Sequence, residues 1–197
     1  MTRFAGLAAV LVLLPGCVLS EHPLSDMTKA EPDDRLLGTW ESTEKPAAEP
    51  LVIDVPAVKG NPKGLMRATH PGRPDKNGVW FFVTKVGKQS YANVMFDKTE
   101  KGGADLHREG DFEKWKVARA TRFLVMWYAV DGDVLTVNFG DEKPHAAAVK
   151  AAGFESRGEF AQSPPGWLEK YLTDKGYEGF YPKKLAQTYR KVKKKER

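Results

Sequence analysis

The stretch Arg122–Val130, RFLVMWYAV, decides how this chain is read. In a strand, successive side chains point to opposite faces. Here both alternating sets are apolar: Phe123, Val125 and Trp127 on one side, Leu124, Met126 and Tyr128 on the other. A strand that is apolar on both faces is covered on both. The run Phe123–Val130 falls far short of a membrane span and suits a buried strand. Asp131-Gly132-Asp133 follows it, and then Val134–Phe139, VLTVNF. Asp-Gly between two apolar runs predicts a hairpin.

The same features recur outward from this hairpin. Val79–Val86, VWFFVTKV, is also apolar on both faces, and Gly87-Lys88 links it to Gln89–Phe96, QSYANVMF. Asn77-Gly78 marks a turn before that pair. Upstream candidate strands are Leu36–Thr43, Pro50–Val55 and Gly64–His70; the last is Leu185–Val192. Residues 97–114, glycine-rich and charged, read as a long loop or a loop with a short helix. Pro144–Ala152 reads as a short helix ended by Gly153, and Glu155–Ala161 as a further strand. Ser163 is placed to cap a second helix through Trp167, Leu168, Tyr171 and Leu172, which share one face, up to Gly176. The expectation is a mainly β fold with minor α. It would be a small antiparallel β-barrel, its interior lined by one face of the two-sided strands and two late helices packed on it.

The N-terminus has a different character. Arg3 precedes Phe4–Leu14, FAGLAAVLVLL, eleven residues without a polar side chain. That is about 16 Å of helix, too short for a bilayer and suited to the core of a signal peptide. The run closes on Leu14-Pro15-Gly16-Cys17, which contains the only cysteine. One cysteine makes no internal disulfide. The tetrad resembles the lipobox of bacterial lipoproteins, with Leu14 and Gly16 matching the aliphatic and small positions. The resemblance implies cleavage before Cys17 and acylation of its thiol, often also of its new amino group. Two or three acyl chains hold durably where one holds marginally. Domain organisation then reads as 1–16 signal peptide, 17–34 lipidated cysteine and flexible tether, 35–192 barrel domain, and 193–197 basic tail. Residues 18–34 are polar and proline-containing, without periodicity. Val18 stands where an aspartate favours inner-membrane retention in enterobacterial lipoproteins. The implied address is the cell envelope, and the outer membrane if the cell has one.

Gly38-Thr39-Trp40 opens the first barrel strand. It resembles the G-x-W signature of lipocalins and their calycin relatives. The resemblance implies a tryptophan packed at the closed end of the barrel, under a basic residue of the last strand. Arg190 occupies a compatible place, with Lys191 or Arg35 as alternatives. The segment Tyr128–Val137, YAVDGDVLTV, is similar to a hairpin of small lipocalin-like bacterial proteins.

No catalytic constellation emerges. His22, His70, His107 and His145 show no metal-ligand spacing, and there is no G-x-S-x-G, H-E-x-x-H or P-loop. Asp105, His107 and Asp111 share the charged loop, but such loops are commonly just solvated. No metal and no cofactor is expected. The net charge of +5 is concentrated near the C-terminus, where it suits a solvated tail or an anionic lipid surface better than nucleic acid. Trp80, Phe82, Tyr91, Trp127 and Tyr128 lie on neighbouring candidate strands and either line an apolar ligand cavity or fill the core. Three functions stay open: a membrane-tethered, non-enzymatic binder of a small hydrophobic molecule or lipid; an envelope adaptor; and a hydrolase whose site is not apparent.

Overall fold

The structure, a computed structural model, describes residues 17–57, 62–71, 78–97, 121–157, 160–161 and 163–193. Eight antiparallel strands form a closed barrel in simple up-and-down order: β2 (Gly38–Ser42), β3 (Leu51–Asp54), β4 (Leu65–Thr69), β5 (Val79–Val86), β6 (Gln89–Asp97), β7 (Thr121–Asp131), β8 (Val134–Asn138) and β11 (Ala186–Lys191). β11 pairs with both β8 and β2, so the sheet has no free edge there. The expected mainly β architecture is therefore present, and it is compatible with a lipocalin-like fold.

The chain's turns define two ends. Gly87 and Gly132, both at positive φ, make the tight hairpins β5–β6 and β7–β8 at one end. The ends of β2, β4, β6 and β8 and the starts of β3, β5, β7 and β11 lie at the other, called here the mouth. The expected dipeptide Asn77-Gly78 is half outside the described residues. Gly78 has φ +63°, and a Cβ there would stand 2.6 Å from the Ala68 carbonyl oxygen.

β7 explains the rest of the architecture. Its residues 127–131 pair with β8, which then ends, leaving the mouth-side half of that edge open. β1 (Val18–Ser20) fills the gap, pairing Val18 with Val125 and Ser20 with Phe123, while the Val18 N–H donates to the Phe139 carbonyl at 3.2 Å. Residues 17–34, expected as a flexible tether, are thus folded onto the barrel. Val18 and Leu24 are buried, and the Leu24 N–H donates to buried Asn93 Oδ1 at 2.8 Å. The segment continues over the outer face, with Ser25 Oγ 2.6 Å from Thr84 Oγ1 and Met27 and Ala30 packed over Leu65, Trp80, Phe82, Met95 and Phe123. It passes so close to Gly64 that a Cβ there would meet the Ala30 backbone and stand 2.7 Å from the Glu31 nitrogen. Its polar composition hides this role, because a strap contributes only an occasional apolar side chain to a face built by other strands.

Two helices cover the neighbouring outer face. α1 (Glu142–Ala151) starts on Asp141, whose carboxylate accepts from the Lys143 N–H at 3.1 Å. α2 (Trp167–Lys175) is capped differently from expectation. Its N-cap is Gly166 in the left-handed region, with no side-chain cap, and Ser163 is buried ahead of the Pro164-Pro165 turn. Leu168 and Leu172 join Phe180, Tyr181, Val18, Tyr91 and Val125 in one apolar cluster, as the helical face predicted. The single strand expected over Glu155–Ala161 is two short strands, β9 (Ser156–Arg157) and β10 (Phe160–Ala161), paired antiparallel.

Candidate functional site

The end away from the mouth is sealed. Trp40 is fully buried in the barrel, and its indole N–H donates to the Leu36 carbonyl at 2.8 Å. Leu36 belongs to a 3-10 turn, Asp34–Leu36, that lies across this end. The cation over the indole is Lys191, not Arg190. Lys191 Nζ sits 5.1 Å from the ring centroid and donates to the Arg35 carbonyl at 3.3 Å, whereas Arg190 is exposed. Alternation decides this: Tyr189 and Lys191 share the inner face, and Arg190 points the other way. Gly38, at φ +128°, lets the Lys191 stem approach; its missing Cβ would stand 3.0 Å from Lys191 Cε.

A polar network completes the seal. Tyr128 points inward and donates its hydroxyl to Asp33 Oδ2 at 2.8 Å, while Arg35 donates to both Asp33 oxygens, Nε at 2.9 Å and Nη2 at 2.6 Å. The Arg35 hydrogen bonds hold the Asp33 carboxyl below the usual carboxylate range, and burial pushes the Tyr128 phenol above its own. A carboxylate held ionised by guanidinium and phenol is a fastener, not a proton shuttle at neutral pH. Sequence reading missed Asp33 and Arg35 in this role. Nothing local links Asp33 to Tyr128, which is 95 residues away.

The five aromatic residues proposed to line a cavity do not share one. Only Tyr128 belongs to the interior cluster. Trp80 and Phe82 are on the outer face, under the N-terminal strap. Tyr91 and Trp127 are on the outer face, under α2 and the segment that follows it. Tyr181 packs on Tyr91, with ring centroids 5.8 Å apart, and donates its hydroxyl to the Val125 carbonyl at 2.9 Å. Trp127 donates to Gln89 Oε1 at 2.8 Å and stacks on Tyr177 at 5.2 Å. The strand patterns placed these residues on adjacent strands but left open which face is inside.

What does point inward is largely aliphatic. Trp40, Ile53, Met66, Phe81, Val94, Leu124 and Leu135 fill the middle of the barrel. On its mouth side Leu19, Leu51, Val79, Met126 and Val137 pack on that filling yet keep partial exposure. Cys17 joins them, half-buried against the same interior cluster. These side chains are inward-facing apolar groups that are not fully covered by the described residues around them. Leu14 and Gly16 lie outside the described residues, as do Asp105, His107 and Asp111.

Among the described residues, no group of three His, Cys, Asp or Glu side chains is placed to hold a metal ion, and no helix is long and apolar enough to cross a membrane. Among the described residues, His145 is the histidine that lies in a packed interface. It is buried between α1 and the 177–181 segment, edge-on to Phe180 at 5.3 Å and 6.4 Å from Trp167, with Nε2 unpaired. Burial pulls its pKa down to about 4, so it is neutral at physiological pH. No family model, no curated protein and no solved structure matches this chain.

Proposed function

We propose that this protein is a bacterial envelope lipoprotein, anchored through acyl chains on Cys17, whose lipocalin-like barrel binds a small hydrophobic ligand or lipid at its mouth without catalysis. The observation that carries the reading is where Cys17 sits. The cysteine of the LPGC tetrad is on the barrel wall, beside the inward apolar residues that keep partial exposure. The sealed end favours a one-sided site, since any occupant enters opposite Trp40.

Two measurements test it. Intact mass of the mature protein from producing cells is expected to equal residues 17–197 plus acyl groups. An unmodified 1–197 mass, or a Cys17→Ala variant that stays on the membrane unchanged, would overturn the anchor. Binding of a fluorescent fatty acid to Cys17→Ala protein is expected to weaken at least about tenfold in a Met126→Arg background, because a buried charge at the mouth opposes an alkyl ligand. Unchanged binding would sink the ligand site. A second reading, an envelope adaptor without a small-molecule ligand, is favoured by the filled middle of the barrel. It predicts no saturable fatty-acid binding in either protein.

A further inference from the structure

An anchor at Cys17 leaves no slack between lipid and domain. Val18 is fully buried, hydrogen-bonded to Phe139 and registered against Val125, so the ordered barrel begins one residue after the cysteine. The Cys17 side chain packs on the interior cluster in the mouth-side half of the wall, where β1 replaces β8. Acyl chains on that sulfur leave through the mouth, because the other end is sealed by Trp40, Leu36 and the Asp33–Tyr128 bond.

The surroundings of Cys17 agree with a lipid surface at this end. Phe180 and Pro182 run beside β1 and the end of β8. The Phe180 carbonyl oxygen lies 3.2 Å from where a Gly140 Cβ would be, Val18 Cγ2 lies 2.6 Å from it, and Asn138 Nδ2 donates to the Pro182 carbonyl at 2.8 Å. The next two residues, Lys183 and Lys184, are exposed and open the turn that leads into β11 at the mouth. Ammonium groups held beside the anchor meet phosphates when that end faces an anionic bilayer. Among the described residues at this end, Glu44, Lys45 and Glu49 on the β2–β3 connection carry mixed charge, so the described positive charge lies on the Cys17 side.

We infer that the barrel stands mouth-down and stalkless on an anionic phospholipid bilayer, with Cys17, Lys183 and Lys184 at headgroup level and the Trp40 end facing away. The inference rests on the anchor proposed above. It assigns the apolar mouth a source of ligand: an alkyl chain delivered from the bilayer beneath it, without crossing water.

The test uses the full chain, acylated in cells and reconstituted into vesicles of phosphatidylglycerol and phosphatidylethanolamine. Acylation blocks Cys17, so a dye attaches only to an added cysteine, Lys184→Cys at the mouth or Lys88→Cys at the opposite hairpin. The two ends are about 25 Å apart, from the rise and tilt of barrel strands. A headgroup nitroxide that quenches only at short range is expected to quench the dye at position 184 strongly and the dye at 88 little. Inserting twelve Gly/Ser residues between Cys17 and Val18, a coil of about 20 Å, should erase the contrast while leaving acylation intact. Equal quenching at both ends, stronger quenching at 88, or a contrast that survives the insertion would overturn the orientation. Mass spectrometry separates the two failures. An unacylated Cys17 sinks the anchor and the inference with it, whereas an acylated Cys17 without contrast sinks the inference alone.

Discussion

The inner and outer faces of the barrel wall are both apolar, but they are built differently. Inside, mainly aliphatic side chains pack around Trp40 and Phe81, closed at one end by a polar fastener. Outside, β5–β7 carry Trp80, Phe82, Phe123, Tyr91 and Trp127, covered partly by a strap of irregular chain and partly by helices. The difference teaches that an apolar strand face does not announce an interior. The inner face is closed by neighbours the strands bring with them. The outer face depends on segments arriving from both ends of the sequence.

If the outer layer is a second core, large truncations on either face should cost alike. Trp40→Ala inside and Phe82→Ala outside are each expected to lose about 3–5 kcal/mol in denaturant unfolding. A cost under about 1 kcal/mol for Phe82→Ala would break the comparison and leave the strap as a loose cover. Asn93→Ala asks how the strap is held. This buried amide accepts from the Leu24 N–H and donates to Thr84 Oγ1 at 2.9 Å. Its loss should cost about 2 kcal/mol and speed hydrogen exchange at the Leu24 amide ahead of the β7 amides. Exchange at both sites rising together would make strap and barrel one cooperative unit.

Smaller effects sharpen the contrast through pH. Tyr128→Phe removes one of the bonds to Asp33 inside the sealed end and should cost about 1.5 kcal/mol near neutrality. Because the folded Asp33 carboxyl is held below its ordinary range, that contribution is present above the range and lost as pH falls through the depressed value. The gap between variant and parent should therefore close in acid. His145→Phe probes the outer helices. In the folded protein His145 titrates near 4, against 6.5 in the unfolded chain, so the unfolded state binds the extra proton in between and stability falls as pH drops across that window. The phenylalanine variant should be flatter across that window, and a parallel pair of pH–stability curves would remove His145 as the cause.

The sequence by itself determined the strands and their hairpins, because alternation and Asp-Gly or Gly-Lys turns are local properties of the chain. RFLVMWYAV also told that its strand is covered on both faces. The resemblance of Gly38-Thr39-Trp40 to the G-x-W signature implied a tryptophan at a closed end, and there the indole donates to the Leu36 carbonyl of its own neighbouring turn. The tertiary structure alone decided which face is inside, and so moved Trp80, Phe82, Tyr91 and Trp127 out of the barrel. It chose Lys191 over Arg190, because inner and outer faces of β11 differ by one residue and register depends on pairing with β2 and β8. It also turned a tether into a wall strand and strap. Val18 and Leu24 have no local pattern that marks them as core. They are buried because distant strands leave an open edge beside Val125 and an apolar face around Phe82, and only closure of the barrel creates either.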